Sequence, residues 1–177
     1  MRQEQLEMQQ RDQPISDDRS SVDSPAAPAA EPTVAGIRRL LAAQPFAVLC
    51  TQGQGQPYGS LVAFAASDDL RHLLFATPST TRKFRLLREC AEVALVVDSR
   101  SKGAEDIMEL EAITATGRAA EVPRGCEFAA WEGLLVRRHP YLKSFVSAPS
   151  SALFVVEIER YLYVVRFQEA REWMPNS

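Results

Sequence analysis

The sequence has few of the residues that build disulfides and metal sites. It holds three cysteines and two histidines in 177 residues. Cys50, Cys90 and Cys126 are far apart and outside any CxxC or Cys/His cluster, which excludes a disulfide framework and a zinc site. We expect free thiols that pack in the interior as small hydrophobic side chains. Neither His72 nor His139 has sequence neighbours that indicate a nucleophilic triad, so both are interpreted as structural.

Long apolar runs and a strong charge of one sign are also missing. No apolar run approaches the ~18 to 20 residues of a membrane span, and the first residues lack the basic start and apolar stretch of a secretory signal. Residues 1–32 contain three arginines and seven acidic residues, so the remainder has 17 basic and 16 acidic residues. A near-neutral domain gives no electrostatic footprint for nucleic acid or an anionic membrane. We therefore expect a cytoplasmic protein that binds neither.

Composition divides the chain at about residue 32. Before this point only Leu6, Ile15 and Val22 have strong packing value, among Gln, Ser, Asp, Pro and Ala. Such a segment cannot bury enough apolar surface to offset its conformational entropy. The sequence thus predicts a disordered acidic arm over 1–32 and one folded domain over 33–177.

The folded part reads as hairpins interrupted by helices. A helix with Thr33 as its N-cap ends before Pro45. Two strand-like runs, FAVLCTQ and YGSLVAFAAS, flank a glycine turn and form a hairpin. Further predicted strands are HLLFAT, EVALVVDS, LEAITATGRAAEV and SALFVVEIERYLYVVRF. Helices are predicted directly after HLLFAT and in CEFAAWEGLLVRRHP. Gly117 is placed at a bulge. Short connections favour antiparallel neighbours that close into a barrel, so the predicted fold class is α+β, a small barrel with flanking helices.

The stretch TPSTTRKFRLLREC is unusual because polar residues and two cations follow a strand and open a helix. Ser79, Thr80 and Thr81 supply hydroxyls, and Arg82 and Lys83 supply positive charge beside the free amides of the helix start. Together these groups form a candidate anion site. The alternative is a simple Ser/Thr N-cap followed by a solvated, charged helix face.

The segment from Phe46 to Arg100 resembles the FMN-binding split barrels of the pyridoxamine 5'-phosphate oxidase-like superfamily. It has a hairpin with G-x-P near the turn, a strand with S-x-V, a strand ending in a small residue and Thr, and a helix beginning with S/T-x-K. The resemblance implies a split barrel of about six antiparallel strands. It also implies a homodimer with FMN and a small-molecule substrate at its interface.

Carried over residue by residue, the resemblance assigns the phosphate of FMN to Lys83 and Arg82. Hydrogen bonds to that phosphate would come from Thr81 and Thr77. The isoalloxazine would lie along the S-x-V strand, mainly against the backbone of Ser60, Leu61 and Val62. In the tail, Trp173 would either close over the flavin, with Gln168 or Arg166 as a polar contact, or pack the end of the barrel.

The sequence also departs from the characterised branches. Where true pyridoxamine-phosphate oxidases carry a glutamine it has Ala112, and it lacks their C-terminal W…R-x-D-R-x-x-P signature. It has no histidine after His139, whereas the haem-degrading branch is associated with a C-terminal histidine ligand. The resulting hypothesis is an FMN-dependent oxidoreductase that does not oxidise vitamin B6, with no residue indicated as a general acid or base. The alternatives are a barrel that binds haem or a deazaflavin, a non-catalytic flavin sensor or scavenger, and a barrel without a cofactor.

Overall fold

The structure, a computed structural model, describes residues 30–100, 107–166 and 169–175. Its helices are α1 (Ala30–Ala43), α2 (Arg82–Glu89), α3 (Cys126–Arg138) and α4 (Lys143–Ser147). Its strands are β1 (Phe46–Gly53), β2 (Gln56–Ala66), β3 (His72–Pro78), β4 (Glu92–Asp98), β5 (Ala112–Glu121), β6 (Ser151–Val165) and β7 (Glu169–Trp173). Single 3₁₀ turns lie at Ile107–Glu109 and Pro140–Leu142. Within these ranges, every helix is too short or too polar to cross a membrane.

The strands form one antiparallel sheet that closes on itself. Their order is β3-β2-β1-β4-β5-β6-β7, and a further pairing of β3 with β6 closes the first six into a barrel. Strand β7 extends the sheet from β6 outside this ring. The α+β barrel of about six antiparallel strands is therefore confirmed.

The barrel is split between β2 and β3. These strands pair only where Phe64–Ala66 meets Leu73–Phe75. From there β2 continues beside β1 alone, while the end of β3 continues beside β6 alone. One backbone edge of β2 thus has no strand neighbour over 56–63 among the described residues, and α2 follows β3 on this side.

Two apolar clusters pack on the two faces of the sheet. The inner one fills the barrel and includes Phe75 stacked on Phe154, with ring centroids 5.6 Å apart. The outer one lies where α3 and α4 cover β3 and β6, and includes Leu74 and Leu135. Residues of β3 alternate between these clusters, which explains why HLLFAT is a continuous apolar run.

Several predictions about local structure need correction. Helix α1 begins at Ala30, so Thr33 is a buried residue inside it and not its N-cap. The tail forms β7, because its residues find a partner edge on β6 that the local sequence does not reveal. The cysteines are free, but none is fully buried: Cys50 and Cys90 are half-buried, and Cys126 is exposed at the start of α3. The bulge at Gly117 is confirmed by a register shift between Thr116 and Gly117. The predicted arm lies outside the described residues up to residue 29.

Arg138 joins α3 to α1. The last-turn position suggests that it complements the dipole of its own helix. Instead its guanidinium donates to the carbonyl oxygens of Leu41 and Gln44, each at 2.6 Å, and to that of Ala42 at 3.2 Å. The carbonyls of Leu41 and Ala42 belong to the last turn of α1 and have no intrahelical donor, and Gln44 follows the helix directly. The removal of this side chain from water lowers the pKa of Arg138.

Candidate functional site

The start of α2 is organised by Thr81. Its backbone is extended and its hydroxyl oxygen accepts from the amide of Phe84 at 3.3 Å, which makes Thr81 the N-cap. The local sequence, with Ser79, Thr80 and Thr81 in succession, does not single out which of these residues is the cap. The Ser79 hydroxyl donates to the carbonyl of Ser150 instead, at 3.1 Å.

The hydroxyls of Thr77 and Thr81 are committed to each other and to the turn. Their oxygens are 3.0 Å apart, and the Thr81 hydroxyl donates to the carbonyl of Pro78 at 2.9 Å. A threonine has one hydroxyl proton to donate, so Thr77 donates to Thr81, and neither retains a free proton. Thr77 is also fully buried. In this structure the two hydroxyls hold the start of the helix.

Arg82 and Lys83 lie directly after the cap and have no carboxylate partner among the described residues. By contrast, several other arginines form ion pairs with carboxylates: Arg39, Arg88, Arg100, Arg118, Arg166 and Arg171. Lys83 is half-buried and forms no hydrogen bond to any described group. The amides of Arg82 and Lys83 are also unpaired by the helix, because only that of Phe84 is capped. The helix start thus presents two N–H donors and two uncompensated positive charges.

The three residues of the S-x-V strand do not share a face. Ser60 pairs with Leu49 and Val62 with Ala47, which puts both on the inner side of β2. Leu61 is on the outer side and 64% exposed. What they share is the backbone edge that β3 leaves open.

Ser60 carries a polar atom without a partner. Its hydroxyl oxygen is buried and forms no hydrogen bond within the described part of the chain. A buried hydroxyl without a partner costs free energy. Together with the open edge of β2, this atom is consistent with a ligand beside the strand.

Trp173 lies away from these residues. Its ring stacks on Tyr161 with centroids 5.6 Å apart, and the Tyr161 hydroxyl donates to the carbonyl of Leu70 at 2.7 Å. Leu70 precedes β3, whereas Lys83 follows it, so the two groups lie at opposite ends of that strand. Within one chain the structure therefore favours the packing alternative for Trp173. Gln168 lies outside the described residues.

Sequence reasoning missed Tyr58 and Arg85. The Arg82 guanidinium lies 4.8 Å from the centroid of the Tyr58 ring. Arg85, one turn further on, faces the same cavity as Arg82. The i, i+3 spacing of the two arginines was the available signal, but it also fits a solvated helix face.

A second polar cluster lies elsewhere, under α1. The Tyr163 hydroxyl donates to Glu111 at 2.6 Å, and Arg39 binds the same carboxylate. Burial, assisted by the Glu111 carboxylate, raises the pKa of Tyr163 to about 12. In the part of the chain that the structure describes, no three His, Cys, Asp or Glu side chains are grouped to hold a metal ion.

The family model described as pyridoxamine 5'-phosphate oxidase matches residues 34–165. The chain belongs to this family. A search of curated proteins finds no match. The family membership agrees with the resemblance seen in the sequence, and the barrel has the corresponding split-barrel fold.

Solved structures of this fold have different ligands in their names. A haem-binding protein from Mycobacterium smegmatis has a TM-score of 0.70 at 19% identity, and the match covers 88% of this chain and 60% of that protein. HutZ, the haem storage protein of Vibrio cholerae, has a TM-score of 0.64 at 14% identity, and the match covers 80% of this chain and 94% of HutZ. An FAD-binding protein from Mesorhizobium loti has a TM-score of 0.60 at 18% identity, and the match covers 73% of this chain and 91% of that protein. At these identities the similarity establishes the fold alone.

Proposed function

We propose that this protein binds FMN and acts as a flavin-dependent oxidoreductase on a small molecule at a homodimer interface. The observation that carries the proposal is the half-buried, unpaired Lys83 at the start of α2, next to Arg82, which lies over Tyr58 of β2. A charge removed from water without a partner is costly, and the described residues provide none. An anionic group from outside the chain would compensate it.

The helix start suits the 5'-phosphate of FMN. The two free amides and the Lys83 ammonium would bind phosphate oxygens by charge-assisted hydrogen bonds. Arg82 would add positive charge from its position on Tyr58. Thr81 and Thr77 would support this site indirectly, because their hydrogen bonds fix the backbone from which the amides point.

The edge of β2 suits the isoalloxazine. In an antiparallel strand, alternate residues direct their N–H and C=O groups away from a given neighbour, so part of the backbone from 56 to 63 is available to the ring. Ser60 adds a hydroxyl, and Leu61 an exposed apolar side chain. FMN would supply the redox chemistry. The chain's own residues would bind and orient it.

The outer face of β1, β2 and β4 suits a second copy of the chain. Phe46 and Leu61 are 46% and 64% exposed there, and with Val48 and Val96 they line an apolar depression of about 300 Å³. Exposed apolar surface of this kind is typical of protein interfaces. A dimer through this face would bury Leu61, which borders the proposed ring position.

The absorption spectrum of the purified protein tests the proposal. We expect a flavin spectrum, directly or after reconstitution with FMN. Lys83→Ala should weaken FMN binding about 10- to 100-fold, since a hydrogen bond to a charged group contributes about 1.5–3 kcal/mol. Lys143→Ala is the matched control, because Lys143 is an exposed lysine without a partner among the described residues. Equal FMN affinity in the two variants would refute the phosphate assignment.

The same spectrum separates the alternatives. A Soret band would indicate haem, the ligand in the names of two structural relatives, and a band at shorter wavelength than that of flavin would indicate a deazaflavin. Turnover of reduced nicotinamide by the FMN-loaded protein distinguishes an oxidoreductase from a sensor or scavenger. Bound flavin without turnover, in the full chain and after deletion of residues 1–32, would favour the non-catalytic function.

A further inference from the structure

A second cavity lies beside the proposed phosphate site, between the β1–β2 hairpin and α2. Its volume is about 370 Å³, within the range of small-molecule pockets. It is lined by Gly53, Gln54, Gln56, Arg82, Arg85, Leu86 and Glu89. Lys83 is not part of this lining, whereas its neighbour Arg82 is, so the cavity adjoins the proposed phosphate site and Arg85 belongs to the cavity alone.

The two arginines in this cavity are both uncompensated. Arg82 and Arg85 are one turn apart on the same face of α2, where like charges destabilise a helix. Neither forms an ion pair with Glu89 or any other described carboxylate. Arg88, the next basic residue of the helix, does pair, with Glu121 at 3.1 Å. Both arginines of α2 that border the cavity therefore lack a carboxylate partner among the described residues.

The cavity lies between α2, whose Arg82 and Arg85 are exposed, and the hairpin. Arg82 is held over the ring of Tyr58. On the opposite side, the hairpin packs so closely on α2 that a β-carbon at Gly53 would overlap the side chain of Leu86. Gln54 and Gly55 both have positive φ, as a two-residue turn requires, and the tight turn brings Gln54 and Gln56 to the cavity. The lining residues thus include two arginines, two glutamines and one acidic residue, Glu89.

We infer that this cavity is a second anion subsite, which takes a phosphate group beyond the one bound at Lys83. The inference rests on the proposed flavin site and extends it. Arginine binds phosphate in a bidentate manner, and glutamine amides can donate to the remaining oxygens. The second phosphate would belong either to a diphosphate cofactor such as FAD or to a separate phosphorylated molecule bound beside FMN. The cavity has no aromatic lining residue, so recognition would depend on charge and hydrogen bonds.

Binding titrations with FMN, FAD and inorganic pyrophosphate test the subsite. Arg85→Gln should weaken FAD binding about tenfold or more, as expected for a lost charge-assisted contact, and change FMN affinity less than about twofold. Arg137→Gln is the matched control, since Arg137 is an exposed arginine of α3 that is unpaired among the described residues. Lys83→Ala should weaken both flavins, which separates the two sites.

The same titrations also distinguish the two possible sources of the phosphate group. An Arg85-dependent preference for FAD over FMN would assign the subsite to the cofactor. Arg85-dependent binding of pyrophosphate to FMN-loaded protein, without preference for FAD, would assign it to a separate molecule. If Arg85→Gln matches Arg137→Gln with every probe, or weakens FMN as much as FAD, the inference is wrong. If wild type binds pyrophosphate through Arg85 but binds no flavin, the proposed function fails and the anion subsite stands.

Discussion

The hydroxyl group of Thr81 connects three parts of the chain. It accepts from the Phe84 amide in α2, donates to the Pro78 carbonyl at the end of β3, and contacts the buried hydroxyl of Thr77. A serine or threonine N-cap ordinarily accepts a hydrogen bond from one backbone amide in the first turn of its helix. Here the same oxygen also ties the helix to the strand, so it sets the direction in which α2 leaves the barrel.

Replacement of this hydroxyl tests its structural role. Thr81→Val keeps the shape of the side chain, but it removes the cap and leaves Thr77 without its partner. We expect a loss of about 1–2 kcal/mol in the free energy of unfolding, measured with urea. Thr80→Val is the control, because Thr80 is exposed, and it should change stability by less than about 0.5 kcal/mol. Equal effects would show that Thr81 is not the cap.

Tyr163 makes the free energy of unfolding fall as the pH rises in the alkaline range. Its pKa is raised to about 12 in the folded protein, first by burial and then by Glu111, from an ordinary value of 10.0. The neutral phenol is favoured in the folded state, so this contribution is complete below pH 10 and is lost as the pH rises from 10 to 12. Two pKa units correspond to about 2–3 kcal/mol.

Unfolding in urea at a series of pH values measures this contribution. Wild type should lose stability more steeply than Tyr163→Phe between pH 10 and 12. Tyr161, whose pKa is also raised by burial, remains in both proteins and cancels in the comparison. Parallel curves would contradict the role of Tyr163.

At the scale of elements, the bulge in β5 fixes how β5 lies on β6. A β-carbon at Gly117 would overlap the carbonyl oxygen of Glu157 on β6. The two backbones therefore approach as closely as glycine permits, and the strand bends at the register shift. By contrast, a β-carbon at Gly133 within α3 would have no neighbouring atom within 4 Å outside the helix's own backbone.

This difference gives opposite expectations for one chemical change. Gly117→Ala should destabilise the protein by more than about 2 kcal/mol, because backbone atoms must move. Gly133→Ala should stabilise it by roughly 0.5–1 kcal/mol through helix propensity. Thermal unfolding of the two variants measures both, and a similar shift in the same direction would contradict this account.

The elements also show which features the sequence could predict. The hairpins, Gly117 and the helix at Arg82 follow from local patterns of turns and apolar residues. The partner of β7 and the carbonyls bound by Arg138 do not, since they depend on segments far away in the chain. The cap was uncertain because Ser79, Thr80 and Thr81 are chemically equivalent in sequence, and only the position of Thr77 selects among them. Lys83 and Arg82 were predicted as an anion site, and that role stays a prediction.

At the scale of the whole molecule, the proposed second copy covers the apolar outer face of β1, β2 and β4. Leu61→Glu should abolish this dimer, because it would bury a carboxylate without a partner. Light scattering after gel filtration measures the oligomeric state. Leu162→Glu is the control, on β6, three strands from β1 in the sheet order and 37% exposed. A monomeric wild type, or a dimer unaffected by Leu61→Glu, would contradict the proposed interface.

The closure of the barrel has a consequence for its synthesis. Pro78 pairs with Ser151 and His72 with Glu157. The partner strand of β3 is therefore translated more than seventy residues after β3 itself. Until then β3 has only its short pairing with β2, and its apolar residues lie at an open edge. Contacts so distant in sequence form slowly. A nascent chain that stops before β6 would therefore leave this edge open to aggregation, because β6, in the last third of the sequence, is the strand that covers it.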